Sequence, residues 1–287
     1  MLNVNYKLII MKKIVSILII GLLSNSLANS QSLTMLWSSD TTLKVAESVL
    51  VDSKNERLFV ANIGSKNPWG REGKGSIGIL TPNGKVLNPT WLKGLNSPKG
   101  MALIQDDILI VADVDSILIV DIPHAAVVKK IGIEGAQQLN DITIDKRGDI
   151  YVSDSKANKI YQISKFKPAL LIDGLKGANG VLYVDKTLYF VDDGSFCKLG
   201  KNKEKVHIAD GLGGGTDGIE QIDEQNFLVS CWSGTIWHVN LNGTKKLLLD
   251  TRNEQIYSAD IGYDKKKKIV YVPTFWKNNV VAYQLVD

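Results

Sequence analysis

Residues 216–239, TDGIEQIDEQNFLVSCWSGTIWHV, contain one complete repeat unit of this chain. The stretch has an Asp-Gly turn signal, a short apolar strand, a polar break, a second strand that ends in Cys231-Trp232, a Ser-Gly turn and a third alternating strand. A fourth strand, KKLLLD, follows Asn242-Gly243. Four short antiparallel strands form a sheet that is too small to bury its own faces, so the unit requires neighbours.

The same unit recurs along the chain. Six dipeptides align in one column when the unit is moved along the sequence, and successive positions lie 38 to 52 residues apart. They are Glu47-Ser48, Lys99-Gly100, Asn140-Asp141, Asn179-Gly180, Asp217-Gly218 and Asp260-Ile261. Each is followed by an apolar strand and then by a second one: LFVAN, ILIVAD, DIYVSD, TLYFVD, NFLVSC and IVYVPT. Six four-stranded repeats of about 40 residues predict an all-β, six-bladed β-propeller, because radial repetition leaves few exposed sheet edges.

The two ends of the chain predict how the ring closes. Residues 32–39, SLTMLWSS, form a strand that belongs to none of the repeats, while the last repeat has only three strands. We therefore expect the N-terminal strand to be the outermost strand of the last blade, which pairs both sheet edges at the seam. The propeller domain is predicted to span residues 29–287.

The first 28 residues have the order of a secretory signal peptide. Lys12-Lys13 precede the apolar run IVSILIIGLLS, and Ser26-Leu27-Ala28 supply the small residues of a cleavage site. The apolar run is too short for an ordinary transmembrane span. Met11 is the expected initiator, because the basic region then begins with MKK. The sequence thus predicts a periplasmic or secreted protein with no membrane attachment after cleavage.

The mature chain would be nearly neutral. Residues 1–28 contain Lys7, Lys12 and Lys13 and no acidic residue, so their removal lowers the formal net charge from +4 to +1. This balance provides no electrostatic footprint for nucleic acid. The basic run at residues 265–268 lies between two strands of the last repeat and is interpreted as a solvated turn.

Several motifs do not indicate a function. Gly213, Gly215 and Gly218 match GxGxxG, but they precede a strand and not a helix. Cys197 and Cys231 lie in different repeats; a disulfide between them and two buried free thiols are both open, and the sequence favours free thiols. The histidines also lie in different repeats and are interpreted as structural: His124, His207 and His238.

The column residues themselves indicate a site. The innermost strand of a propeller blade runs along the central channel, so the residue just before it is expected at the channel mouth. The six residues are Glu47, Lys99, Asn140, Asn179, Asp217 and Asp260. This ring is dense in oxygen ligands and contains no His or Cys, which suits a hard cation such as Ca²⁺. Alternatively, Asn-Gly and Asp-Gly are only turn formers, but Glu47 is a poor turn residue and favours the metal interpretation.

These repeats resemble the gluconolactonase, senescence marker protein (regucalcin) and luciferin-regenerating enzyme family. The resemblance rests on Glu47 in AESVLVDSKNERLFVAN, Asn140-Asp141 in LNDITIDKRGDIYVSD, Asn179 in ANGVLYVDKTLYFVDD and Asp217 in TDGIEQIDEQNFLVSCWSG, and it spans essentially the whole mature chain. It implies one divalent metal ion held in the channel by Glu47, Asn179 and Asp217, with Asn140 touching the ion directly or through water. Ca²⁺ is the first expectation, with Mg²⁺, Mn²⁺ or Zn²⁺ as alternatives.

The resemblance also implies hydrolysis of a lactone. The metal would polarise the ring carbonyl, and the carboxylates of Asp141 and Asp217 are the expected catalytic groups, Asp141 as the base that deprotonates water. Sugar-lactone members of the family have an Arg two residues before the Asn-Asp pair, where this chain has Gln138; Ile142 stands where the family often has Gly. These differences favour a lactone or ester other than a sugar lactone as the small-molecule partner.

The first repeat is the longest, and its additional residues form the segment GSKNPWGREGKG, residues 64–75. This segment is expected to leave the same face of the propeller as the ring, which would make it a lid. Trp69, Arg71 and Lys66 are then candidates for substrate contact, together with Gln138. The alternative is a solvated loop without a role in binding.

Two functions of different class follow from these observations. The first is an exported metal-dependent hydrolase with the site described above. The second is a non-catalytic exported propeller, related to NHL-type binding modules, whose channel mouth binds a ligand or a protein. The Glu, Asn and Asp ligands favour the first, and the missing Arg favours the second.

Overall fold

The computed structural model of the protein describes residues 31–286, and its regular elements are all strands. No helix in this part of the chain is long and apolar enough to cross a bilayer. The predicted signal peptide, residues 1–28 with the expected initiator Met11, lies outside the described residues.

The described chain forms six antiparallel sheets of four strands each. Blade 1 contains β2 (Ala46–Asp52), β3 (Arg57–Asn62), β4 (Gly75–Leu80) and β5 (Val86–Leu95). Blade 2 contains β6 (Pro98–Ile104), β7 (Ile108–Asp113), β8 (Ser116–Asp121) and β9 (Ala126–Gly132). Blade 3 contains β10 (Leu139–Ile144), β11 (Ile150–Asp154), β12 (Lys159–Ser164) and β13 (Lys167–Ile172).

The other three blades follow the same order along the chain. Blade 4 contains β14 (Ala178–Val184), β15 (Thr187–Asp192), β16 (Ser195–Leu199) and β17 (Lys205–Ala209). Blade 5 contains β18 (Thr216–Gln221), β19 (Asn226–Cys231), β20 (Thr235–Asn240) and β21 (Lys245–Asp250). Blade 6 contains β22 (Gly262–Asp264), β23 (Ile269–Pro273), β24 (Val280–Val286) and β1 (Ser32–Ser38). The predicted six-bladed β-propeller is confirmed.

The seam closes as the sequence predicts. Strand β1 pairs antiparallel with β24, with Ser32 opposite Val286 and Ser38 opposite Val281. The aromatic rings of Trp37 in β1 and Tyr271 in β23 lie 5.8 Å apart. The N-terminal strand therefore completes the last blade and leaves no unpaired edge on β24.

The second strand of each blade is buried on both faces because neighbouring blades pack against it. The residues of β7 and β11 are almost all buried, which explains why their sequences are continuous apolar runs and do not alternate. Between blades 2 and 3, Ile110 and Val152 belong to one apolar cluster. Burial of each such side chain stabilises the fold by about 1.5–3 kcal/mol.

An aspartate at the end of the second strand positions the channel mouth in three blades. Asp113, Asp154 and Asp192 each accept a hydrogen bond from a backbone N–H in the loop that precedes the innermost strand. The three donors are Ser97, Gln137 and Lys176, each at 2.7 Å. These bonds hold in place the loop from which the ring residues of blades 2, 3 and 4 follow.

Cys197 and Cys231 are both free and buried. Cys197 lies in the apolar cluster between blades 3 and 4, and the thiol of Cys231 donates to the carbonyl of Leu212 at 3.3 Å. Burial raises the pKa of the two thiols, to about 12 and about 11 respectively. The two cysteines therefore pack as small apolar residues.

The innermost strands approach one another so closely that they require glycine. A Cβ atom on Gly262 would overlap with the carbonyl oxygen of Val49 across the seam between blades 6 and 1. A Cβ atom on Gly180 would overlap with the carbonyl oxygen of Asp217 in the next blade. The contact is with backbone in both cases, so it cannot be relieved by a change of rotamer.

We expect Gly262→Ala to lower the melting temperature, because overpacking of this kind costs about 1–3 kcal/mol, and about 2–4 °C is lost per kcal/mol in a domain of this size. Gly214→Ala is the matched control, since a Cβ atom there would have no neighbour within 4 Å. Circular dichroism during heating measures both. Equal melting temperatures for the two variants would contradict the close approach of the innermost strands.

Candidate functional site

Most of the predicted site residues line one cavity of about 540 Å³ at one end of the channel. Six of them contribute to its wall: Glu47, Trp69, Gln138, Asn140, Asn179 and Asp217. Lys99, the ring residue of blade 2, lines this cavity as well. The cavity is therefore assembled from all of the first five blades, with one residue of the ring from each.

Interruptions in the strand ladder direct the ring residues into the channel. The pairing between the innermost and second strands shifts register between Ala46 and Ser48 in blade 1, which leaves Glu47 without a partner. The same interruption surrounds Asn179 in blade 4 and Asp217 in blade 5. A β-bulge leaves its extra residue outside the ladder and turns the side chain, which is why bulges are common beside functional sites.

Three buried oxygens at this cavity have no hydrogen-bond partner. They are Oε2 of Glu47, Oδ1 of Asn179 and Oδ1 of Asp217. An unsatisfied buried polar atom costs about 1–3 kcal/mol, so a native structure needs a reason to keep three of them in one place. Two carboxylates and an amide oxygen form a donor set that a hard cation accepts. The residues present therefore fit the divalent ion that the resemblance implies.

The rest of the described chain offers no other obvious metal centre. Residues 31–286 contain no group of three or more His, Cys, Asp or Glu side chains that could hold a metal ion. The set at the cavity has only two acids, and its third oxygen belongs to an amide. This candidate metal site is therefore identified by its three unpartnered oxygens and not by a cluster of acids.

Lys99 is a buried cation inside the same cavity. Its Nζ lies 3.4 Å from Oε1 of Glu47, and only 2% of its side chain is exposed. The ammonium also lies 4.3 Å from the centre of the Trp69 ring, a cation–π contact. It reaches only one of the two Glu47 oxygens, so the three unpartnered oxygens remain. Lys99 thus does not take the place of a bound cation.

The two carboxyl groups are short of positive charge in this environment. Burial raises the pKa of Glu47, although the nearby Lys99 lowers it in part. Burial also raises the pKa of Asp217 well above its ordinary value, and the negative charge of Glu47 adds to that effect. A divalent cation in contact with both groups would favour their ionised forms instead.

Asn140 is oriented by a short chain of hydrogen bonds. Its Nδ2 donates to Oγ of Ser155 at 3.0 Å, and that hydroxyl donates to the carbonyl of Ala178 at 2.7 Å. With the amide nitrogen held in this way, Oδ1 of Asn140 is left for the cavity. This arrangement is compatible with the prediction that Asn140 lies near the ion, which stays a prediction.

Asp141 and Asp260 lie in a second layer of the channel. Both line a separate cavity of about 260 Å³, together with Glu220. We call this the lower cavity, and the cavity of about 540 Å³ the upper cavity. The alignment of the repeats predicted that Asp260 lies in the ring with Asn140. The structure places it in the same layer as Asp141 instead. The reason is local: the innermost strand of blade 6 begins only at Gly262, so the column is out of register there by one residue.

Asp141 has its carboxylate engaged by the backbone. One oxygen accepts the N–H of Ile142 and the other accepts the N–H of Val181 in blade 4, each at 2.7 Å. Burial raises its pKa to about 7. Because it does not line the upper cavity, the geometry gives Asp141 a bridging role between blades, and its predicted role as catalytic base has no support from this placement.

The long loop of blade 1 brings only one of its three predicted substrate contacts, Trp69, to the cavity wall. Trp69 and the adjacent Pro68 line the cavity. Arg71 does not; its guanidinium pairs with the carboxylate of Asp115 in blade 2, and its side chain is 53% exposed. Lys66 is not among the lining residues either. The loop thus covers the cavity with an aromatic ring and provides no arginine to a ligand.

Three aromatic residues complete the wall, and the sequence analysis missed them: Trp232, Phe275 and Trp276. The ring of Phe275 lies 5.6 Å from that of Trp232 and 4.7 Å from that of Trp276. Trp232 and Phe275 each follow the last residue of the second-strand repeat, as Ser155 and Asp193 do in blades 3 and 4. That shared position was the available signal.

Glu220 in the lower cavity predicts how stability depends on pH. Burial raises its pKa from 4.5 to about 8. The fold therefore favours the protonated form, and this contribution is full below pH 4.5 and lost as the pH rises through about 8. We expect Glu220→Gln, which cannot ionise, to melt several degrees above the wild type at pH 9 but not at pH 5.

The matched control for this comparison is Glu224→Gln, an exposed glutamate in the neighbouring turn. Its melting temperature should follow that of the wild type at every pH. Parallel curves of melting temperature against pH for wild type and Glu220→Gln would show that Glu220 does not carry the predicted charge penalty.

Comparison with known proteins shows similarity of fold to solved structures. No family model matches the chain, and no curated protein matches it in sequence. Among solved structures it is similar to a gluconolactonase from Xanthomonas campestris, with 14% identity over 85% of this chain and 87% of that one and a TM-score of 0.68.

Two lyases are also similar. A streptogramin B lyase has 11% identity, covers 89% of this chain and 97% of its own, and gives a TM-score of 0.64. A virginiamycin B lyase from Staphylococcus aureus has 12% identity, covers 89% of this chain and 100% of its own, and gives a TM-score of 0.61. At these identities the similarity concerns architecture. The chain has the fold of the gluconolactonase-like β-propellers.

Proposed function

We propose that this protein is a metal-dependent hydrolase that acts on a lactone or ester. One divalent cation, Ca²⁺ in the first place, would be held by Glu47, Asn179 and Asp217, with Asn140 beside it. The observation that carries the proposal is the set of three buried, unpartnered oxygens on these ligands at one cavity. The fold shared with a gluconolactonase supports the same reaction class.

The bound ion would polarise the carbonyl of the substrate and stabilise the oxyanion that develops on it. Of the two predicted catalytic acids, only Asp217 lines the upper cavity, so we assign proton transfer from water to Asp217. Lys99 pairs with Oε1 of Glu47 and leaves Oε2 for the ion. The Trp69 ring, which lines the cavity, would limit the access of bulk water.

The cavity wall suggests which part of a substrate it accepts. Gln138, whose backbone N–H is held by Asp154 at 3.1 Å, provides an amide where a sugar-lactone enzyme would have the rigid fork of an arginine. Four aromatic rings line the same space: Trp69, Trp232, Phe275 and Trp276. We therefore propose a lactone or ester with an apolar or aromatic group, encountered outside the cytoplasm if the predicted signal peptide is functional.

The alternative, a non-catalytic propeller with a structural ion, is favoured only by the missing arginine, where this chain has Gln138. It predicts that ion binding and ligand binding persist without turnover. The experiment below separates the two functions, because it measures ion binding and hydrolysis independently.

We expect Asp217→Asn to reduce kcat/KM for an aryl lactone such as dihydrocoumarin at least about 100-fold in the presence of Ca²⁺, because the variant loses both a charged ligand and the base. Ca²⁺ should raise the melting temperature of the wild type, since an ion that binds only the native state stabilises it by mass action, and should not do so in the variant. A spectrophotometric assay and thermal scans provide the two measurements.

Asp193→Asn is the matched control, because it removes one negative charge at the rim of the same cavity without removing an unpartnered ligand oxygen. It should retain both hydrolysis and the Ca²⁺ effect. Wild-type protein that binds Ca²⁺ but hydrolyses no lactone or ester would favour the binding function. A Ca²⁺ effect of equal size in Asp217→Asn would place the ion elsewhere.

A further inference from the structure

The ammonium of Lys99 has donors that the protein does not use. An ammonium group has three N–H donors. Within residues 31–286, Glu47 is the one carboxylate that lies at ion-pair distance from Lys99, and it does so at 3.4 Å. The remaining donors face the cavity and the π faces of Trp69 and Phe275, whose ring centres lie 4.3 and 5.9 Å from Nζ. A ligand in the cavity can therefore accept hydrogen bonds from Lys99.

The charge of the cavity indicates the sign of the charge on that ligand. Its buried ionisable lining residues are Glu47, Lys99 and Asp217, which together carry a formal charge of −1, while the charges of the exposed Lys176 and Asp193 cancel. A divalent cation on the unpartnered oxygens would bring the lining to +1. Buried charge is costly unless it is paired, so the loaded cavity is completed by one negative charge.

The shape and chemistry of the wall restrict the rest of the ligand. Lys99 lies beneath Trp69, and Phe275 stands between Trp232 and Trp276 on the adjoining wall. Trp232 and Trp276 are 37% and 39% exposed, so part of each side chain is accessible to a ligand in the cavity. A cavity of about 540 Å³ has room for a small molecule with one aromatic ring.

We propose that Lys99 binds a carboxylate and that the site takes a small aromatic carboxylic acid, whose ring packs against Trp232, Phe275 and Trp276. The identity of this acid as part of the substrate, or as the product of hydrolysis, rests on the proposed function. The binding itself requires only the ammonium, the aromatic wall and the charge of the cavity.

Phenylacetate and phenylacetamide form the test pair, because they have nearly the same shape and differ in charge. Isothermal titration calorimetry in Ca²⁺ should show that the wild type binds phenylacetate about tenfold more tightly than phenylacetamide or better, since hydrogen bonds to charged groups are the stronger ones. Lys99→Met should remove this preference. Lys176→Met is the matched control, as it changes the net charge of the same cavity equally, and it should keep the preference.

The comparison of the two probes in wild-type protein is decisive even if Lys99→Met does not fold. Equal affinity for both probes in the wild type would overturn the proposal. A preference for the carboxylate that survives in Lys99→Met would overturn it too, because the carboxylate would then bind the metal ion or the rim. The proposed hydrolase would fail differently: no lactone or ester would be hydrolysed, while the Ca²⁺ effect and the carboxylate preference would both remain.

Discussion

The balance of buried charge at the channel mouth is the constraint on which the rest of this molecule depends. Glu47 and Asp217 are both removed from water; Lys99 lies at ion-pair distance from one oxygen of Glu47 and lowers the pKa of both groups only in part. Burial of an ionised carboxylate without a partner is costly, so burial raises the pKa of both groups and favours their protonated forms. In the proposed function, a cation in contact with the unpartnered oxygens of Glu47, Asn179 and Asp217 would favour their ionised forms, and the same cation would supply the chemistry of a hydrolase.

The scaffold explains why these side chains can be held there at all. Each of the first five blades delivers one residue through an interruption of its innermost ladder, and neighbouring innermost strands approach closely at Gly180 and Gly262. Aspartates such as Asp154 anchor the preceding loops through backbone N–H groups. The ring is thus a product of repetition, whereas the aromatic wall and Lys99 are particular to single blades.

Sequence patterns predicted the repeated features well. The six blades, the pairing of β1 with β24, and the placement of Glu47, Asn179 and Asp217 at one cavity all follow from spacing and residue type. Asp260 was misplaced because blade 6 has a short innermost strand and does not keep the register of the others. Asp141 is separated from Asn140 because adjacent residues on a strand project in different directions, so Asn140 reaches the upper cavity and Asp141 the lower one; its catalytic role stays a prediction. Arg71 and the aromatic wall depend on loop conformation, which spacing does not encode.

The measurement that tests the central claim most directly is a crystal structure of the protein grown with Mn²⁺, with anomalous scattering used to locate the metal. The account predicts one anomalous peak in the upper cavity within about 2.0–2.6 Å of Oε2 of Glu47, Oδ1 of Asn179 and Oδ1 of Asp217, a range that covers divalent ions bound by oxygen. It also predicts that Nζ of Lys99 stays on the opposite side of Glu47. An anomalous map with no peak at these oxygens would contradict the account. So would a structure in which the ammonium of Lys99 donates hydrogen bonds to all three oxygens.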